Sequence, residues 1–255
     1  MLFSNQPRTR YQKAPVHEVI CQLRFPTILS ISSGDPSAYQ ELIRDAFPQY
    51  VRRQDAMTLS GPNAPRTPVP NHHFLSQDGK WRLNLTQSFI ALSTLDYPGW
   101  EAFAGRLDQP LAAFIEVYRP GGFQRVGLRY VNVVSRSRLG LDGVPWTELF
   151  TSAYTAPLRE PDVSENRLLS CGCDLTLQLD SSCQARIHSG LGRIASQKKP
   201  DPNQEISFIL DIDLSMSGSV SCSLAAAALE TIHAHSTRIF EGAMSERLRT
   251  AIGPE

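Results

Sequence analysis

The sequence predicts an α+β protein in which an antiparallel sheet carries helices on one face and leaves the other face open. Three features lead to that expectation. The segment "RVGLRYVNVV", residues 125–134, alternates as a strand does and sets Arg125 and Arg129 on one side against a largely apolar series on the other. The order strand, helix, three strands, helix can be read twice along the 255 residues. One long and one short helix in each half are too few to cover both faces of a sheet of about eight strands.

The elements follow from local pattern. "VHEVICQLRF" (16–25) is rich in β-branched and apolar residues and is stopped by Pro26, as a strand would be. "DPSAYQELIRDAF" follows with Tyr39, Leu42, Ile43 and Phe47 at helical spacing and Asp35 or Ser37 as a cap. "SGPNAPRTPVPN", with four prolines in twelve residues, reads as a long irregular loop. "HHFLSQ", the turn "DG", "KWRLNLTQ" and "FIALSTLD" then read as a three-stranded meander. A helix from Pro98 to Tyr118 aligns Trp100, Phe103, Leu107, Leu111, Phe114 and Tyr118, and Pro110 should kink or split it.

The second half repeats this plan. "FQRVGLRYVNVV" is the strand and "VPWTELFTSAY" the short helix, "RLLSCGCDLTLQL", "CQARIHSGL" and "ISFILDIDLSM" form the meander, and residues 223–251 form the last helix. The expected organisation is an arm over 1–14, one α+β repeat over 15–121 and a second over 122–255, sharing one continuous sheet. Residue identity between the halves is negligible. At the level of architecture such a molecule resembles the saddle of the TATA-binding protein or two fused helix-grip units; two ferredoxin-like domains are the alternative. A likeness of architecture does not license a function.

Alternation also assigns faces. In the first strand Val19, Cys21, Leu23 and Phe25 oppose Glu18, Gln22 and Arg24. With the leading strands of the two halves side by side, Glu18, Gln22, Arg24, Arg125 and Arg129 share the open face, and Glu18 can meet Arg129 or Arg125 as a cross-strand pair. An ordinary solvated face accounts for this pattern. So does an anchor for a carboxylate, a phosphate or an acidic partner segment, because the guanidinium fork makes paired hydrogen bonds to such groups.

Composition narrows the classes. Twenty-five basic residues balance twenty-five acidic ones, so no long-range field draws the whole molecule to nucleic acid or an anionic membrane. The start, "MLFSNQPRTRYQK", lacks the apolar stretch of a signal peptide, and no run reaches the roughly 18 apolar residues of a spanning helix. A cytoplasmic protein is the expectation. The five cysteines show no CxxC pair and read as reduced, mostly buried thiols. On the open face Arg82, Asn84 and Thr86, with Asp174, Thr176, Gln178, Arg186, His188, Asp211 and Asp213, alternate acid with base rather than forming a basic stripe. "VRRQ", "NAPRTP" and "LGRIASQKKP" add scattered basic loop charge.

Enzyme signatures are weak. Asp211 and Asp213 point to one side of a strand, with His188 on the neighbouring strand as a third metal ligand, but surface alternation explains them more simply. His233 and His235 are two apart on a helix, where metal-binding pairs stand four apart. Cys171 and Cys173 align with Leu175 and Leu177, a core face. "SGLGRI" is no phosphate loop, and neither a nucleophile elbow nor HExxH occurs. The expectation is no catalytic residue, no metal and no cofactor.

"APVHEVICQLRFP" and "RVGLRYVNVV", supported by "IHAHSTRIFEGAMSERLRTAI", resemble a sporadically distributed, uncharacterised family of bacterial proteins of similar length. The shared pattern falls on Pro15, Glu18, Arg24, Phe25, Arg125, Gly127, Leu128, Arg129, Tyr130 and Asn132. The family brings no established activity. Its patchy occurrence implies defence-associated or mobile gene neighbourhoods and an antitoxin-like or partner-binding role. The leading expectation is therefore a non-enzymatic adaptor that binds a protein through Glu18, Gln22, Arg24, Arg125 and Arg129. Nucleic-acid binding by the same face and basic loops is the alternative, and a metal-dependent enzyme using Asp211, Asp213 and His188 a weaker one.

Overall fold

A computed structural model describes residues 2–4, 9–58, 66–168, 170–193 and 205–255. It is an α+β fold with a nine-stranded antiparallel sheet. In chain order the strands are β1 (Val16–Arg24), β2 (Gln49–Thr58), β3 (Arg66–Leu75), β4 (Trp81–Leu85), β5 (Phe89–Thr94), β6 (Phe123–Val134), β7 (Cys171–Gln178), β8 (Cys183–Gly192) and β9 (Ser207–Val220). Across the sheet they run β2-β3-β4-β5-β1-β6-β9-β8-β7. The helices are α1 (Ser37–Ile43), α2 (Trp100–Tyr118), α3 (Arg136–Leu139), α4 (Trp146–Leu149), α5 (Ser152–Thr155), α6 (Ala225–Ala243) and α7 (Glu246–Ile252). Contacts divide the chain into two compact units, Glu18–Leu128 with Ser215–Glu230, and Met1–His17 with Arg129–Leu214 and Thr231–Glu255.

In the Glu18–Leu128 unit, α1 and α2 pack on one side of the strands. Val19, Cys21 and Leu23 of β1, Leu83 and Leu85 of β4, and Ile90 and Leu92 of β5 are fully buried there. Phe25 meets Phe114 of α2 at 4.6 Å between ring centroids, Trp81 meets Phe103 at 5.7 Å, and Tyr39 of α1 meets Phe74 at 5.6 Å. Pro110 does not split α2. It is buried inside the helix, and its carbonyl accepts a hydrogen bond from the Tyr39 hydroxyl at 3.1 Å. Packing of the aromatic stripe outweighs the one helical bond that proline removes.

The proline-rich stretch is the main correction to the sequence reading. Residues 66–71 belong to β3, which pairs with a strand, β2, that was not anticipated, so four strands rather than three lie between α1 and α2. Pro68 and Pro70 stand opposite Ala56 and Gln54. They are two apart, so their missing N–H positions point to the same lateral side, and β4 pairs with β3 only over His72–Leu75. The prolines therefore occupy a part of the strand with one described neighbour to satisfy. The remainder of the predicted loop, 59–65, lies outside the described residues. β2 escaped notice because "QYVRRQDAMT" is a polar edge strand with little alternation.

In the other unit, Trp146, Phe150 and Phe208 form a buried aromatic group, with Phe150 and Phe208 stacked at 3.9 Å. The predicted helix over 144–154 becomes two single turns, because Phe150 between them is extended. The predicted helix over 223–251 also breaks. Ser245 caps α7 by accepting from the Leu248 amide at 3.2 Å, and its own amide donates to the Leu149 carbonyl at 2.9 Å. The amino-terminal arm is held by the same unit: Tyr11 donates to Glu241 at 2.7 Å, and Gln12 and Lys13 amides donate to the Gly253 and Ile252 carbonyls at 2.9 Å. All five cysteines are free, but only Cys21 and Cys183 are buried; Cys171, Cys173 and Cys222 are half-buried, contrary to the expectation of mostly buried thiols.

Candidate functional site

On the side of β1 away from α1 and α2, Glu18 and Gln22 are half-buried and Arg24 is exposed. Cross-strand register extends this face. Gln22 stands opposite Ala91, and Ala91 opposite Asn84; Ile20 stands opposite Ser93, and Ser93 opposite Arg82. Ala91 and Ser93 of β5 are small and buried, lying in register between Ile20 and Gln22 on β1 and Arg82 and Asn84 on β4. The Oδ1 atom of Asn84 is buried and has no hydrogen-bond partner among the described residues.

Gln22 organises two arginines. Its Oε1 accepts from Arg24 Nε at 2.9 Å and from Arg125 Nη1 at 3.5 Å. Arg125 lies back along β6: a Cβ placed on Gly127 would stand 2.2 Å from Arg125 Nη1 and 2.8 Å from its Cζ. Glycine at 127 thus leaves room for a guanidinium to lie over the strand two residues on. Arg24 carries its charge beside a neutral amide, with no carboxylate within ion-pair distance among the described residues. Beneath, on the helix-covered side, burial pushes the Cys21 thiol up to about 12 although the Arg125 charge pulls it down.

Glu18 takes a partner other than the expected one. It faces Arg82 across the sheet at 3.9 Å, with both side chains partly exposed. In the other unit, Arg129 grips Asp211 of β9 with both arms, Nε to Oδ1 at 2.8 Å and Nη2 to Oδ2 at 2.5 Å. Its side chain is 45% exposed and that of Asp211 17%, so neither lies sealed beneath a helix. His188 is likewise engaged, its Nδ1 standing 2.8 Å from Asp174 Oδ1 on β7. Asp211, Asp213 and His188 therefore do not gather as metal ligands.

Of the residues expected to form one face, Glu18, Gln22, Arg24 and Arg125 fall in the Glu18–Leu128 unit and Arg129 in the other. Gly127, Ala91, Ser93 and Asn84 complete the first group. Alternation had already set Asn84 on the open face, and Gly127 left a signal as an interior strand glycine two places after an arginine; Ala91 and Ser93 left none. His233 of the "HAH" pair is buried, with its Nδ1 2.8 Å from the Tyr130 hydroxyl, whereas His235 is half-buried. No described helix is long and apolar enough to cross a membrane. Comparison with protein-family models and with curated proteins finds no match to this chain.

Proposed function

We propose that the chain is a non-enzymatic binding protein that engages a protein partner through the open sheet face of the Glu18–Leu128 unit, with Arg24 and Arg125 as the anchor. The observation that carries this reading is the state of Arg24: exposed, oriented by the neutral Gln22 and unmatched by any described carboxylate. Holding a guanidinium in one geometry costs side-chain entropy, and one hydrogen bond to an exposed amide returns little stability. A partner carboxylate supplies the paired hydrogen bonds that the fork is shaped for. Glu18, paired with Arg82 on the same face, gives the surface mixed charge rather than a basic stripe, which suits a protein partner better than a run of phosphates.

Arg129 drops out of this anchor because Asp211 fills its fork. The metal-dependent reading loses support for the same reason, since Asp211 and His188 each serve another residue. Nucleic-acid binding remains the alternative for the same arginines and is separated by salt: phosphate contacts give a steep fall of log affinity with log salt. A cytoplasmic place of action is part of the proposal. The defence or toxin–antitoxin setting rests on the two-motif resemblance alone. The test is partner capture from host extract by the intact chain and by its Arg24→Glu variant, with loss of a specific protein expected in the variant.

A further inference from the structure

The turn between β7 and β8 meets α6 at a second, separate group of side chains. Asp180, Cys183 and His235 bring one carboxylate oxygen, one sulfur and one imidazole nitrogen within 4.8 Å of one another. It is the one such group of three donors among the described residues. We propose that these three side chains bind a zinc-class divalent ion, with the fourth coordination position open to solvent.

The local structure favours ligation in three ways. Asp180 uses a single oxygen, Oδ1, to fix the turn: it accepts from the Ser182 amide at 2.7 Å, the Ser182 hydroxyl at 2.9 Å and the Cys183 amide at 2.8 Å. Those bonds hold the carboxylate in place and leave Oδ2 for an ion. Cys183 is fully buried, His235 half-buried and Asp180 exposed, so the donors run from the interior outward and a bound ion keeps one side toward water. Around one tetrahedral zinc, sulfur, nitrogen and oxygen donors stand about 3.3–3.7 Å apart, so the three side chains must draw in by roughly 1 Å from the present upper bound of 4.8 Å. The mixture of thiolate, imidazole and carboxylate selects zinc or cobalt over magnesium or calcium, which take oxygen alone.

The balance of the binding step is simple. The Cys183 S–H bond breaks, its proton leaves to solvent, and the sulfur keeps the electron pair that it shares with the ion. Burial, and then the Asp180 charge, push the free thiol up to about 11, so without metal it is neutral. Spacing concealed the site. An aspartate and a cysteine three apart in a turn, with a histidine more than fifty residues on, match no metal motif in sequence.

Cobalt(II) reports on the site directly, because a thiolate ligand produces a charge-transfer absorption that oxygen and nitrogen ligands do not. Titrating the full-length chain with cobalt alone should give that band at one equivalent, and zinc should abolish it. Cys171→Ser, Cys173→Ser and Cys222→Ser together should leave the band intact. His235→Ala should weaken cobalt binding by about tenfold or more, as loss of one ligand or its support does. Cys183→Ser should remove the band; should that buried substitution prevent folding, His235→Ala and Asp180→Asn, at positions closer to solvent, decide the matter. Asparagine keeps an oxygen for the turn's hydrogen bonds, so weaker cobalt binding in folded Asp180→Asn supports the site. Absence of the thiolate band in the wild-type chain, its loss in the triple serine variant, or undiminished binding in both His235→Ala and Asp180→Asn overturns the proposal.

Discussion

Arg129 and Asp211 meet fork to fork, Nε on Oδ1 at 2.8 Å and Nη2 on Oδ2 at 2.5 Å, and this pairing separates Arg129 from Arg24 in role. Asp211 fills the fork of Arg129, whereas Arg24 is aligned by the neutral Gln22 and is the residue proposed to meet a partner. Arg129→Ala and Asp211→Asn should each cost stability. The pair should show a coupling of about 0.5–1 kcal/mol in a double-mutant cycle by denaturant unfolding, as partly exposed ion pairs of good geometry do. Neither change should weaken partner capture.

Gly127 and Arg125 give a second handle. Gly127→Ala puts a methyl where the Arg125 guanidinium lies, and the guanidinium is the mobile end of a flexible side chain. The expected result is a thermal stability within about 1 kcal/mol of the wild type, since alanine suits a strand at least as well as glycine. Partner capture should nevertheless fall. A large loss of stability would mark Arg125 as a structural brace instead.

Two glutamates of the unit that holds Arg129 should respond to pH with opposite sign. Burial raises Glu241 above its ordinary 4.5, with the Tyr11 hydroxyl and Arg249 pulling it back in part. Burial acts on Glu205 as well, but hydrogen bonds from the Ser135 and Ser137 hydroxyls and the Ser137 and Arg136 amides hold it below 4.5. Folded Glu241 binds its proton more tightly than the unfolded chain, so its contribution is full below 4.5 and is lost as pH rises through the folded value. The contribution of Glu205 is full above 4.5 and is lost as pH falls through the folded value. Glu241→Gln should flatten the decline above 4.5, whereas Glu205→Gln should lower stability at neutral pH and reduce the loss on acidification. Unfolding curves between about pH 3 and pH 7 check both signs.

Nucleic-acid retention should be slight. In filter or mobility assays the log affinity for DNA or RNA should show no steep dependence on log salt, in contrast to the slope of about −0.9 per phosphate contact that B-DNA binding gives. A steep slope, reduced in Arg24→Glu, would favour the alternative reading.

Strand existence was legible in the sequence wherever one face is buried. β6 runs from Phe123 to Val134, the bounds its alternation implies, and the sealed residues Val19, Cys21 and Leu23 are those the pattern of β1 selects. Partners were not legible. Alternation names the side on which Arg129 stands but not the strand beside it, and Asp211 becomes its partner only because β9 follows β6 in the sheet. The Gln22 bridge needs both register and rotamer. The first half of β3 failed for a different reason: Pro68 and Pro70 count against a strand interior unless the neighbouring strand is known to stop at His72.

Arg24→Glu is the most direct test of the proposed anchor. The wild-type chain and the variant, matched for melting temperature, are used to capture proteins from an extract of the native host, and the captured proteins are quantified. Equal stability is expected, with at least one wild-type partner reduced by about tenfold or more in the variant, equivalent to about 1.4 kcal/mol of binding. Identical captured sets, or a variant that unfolds because Arg24 braces the sheet, would contradict it.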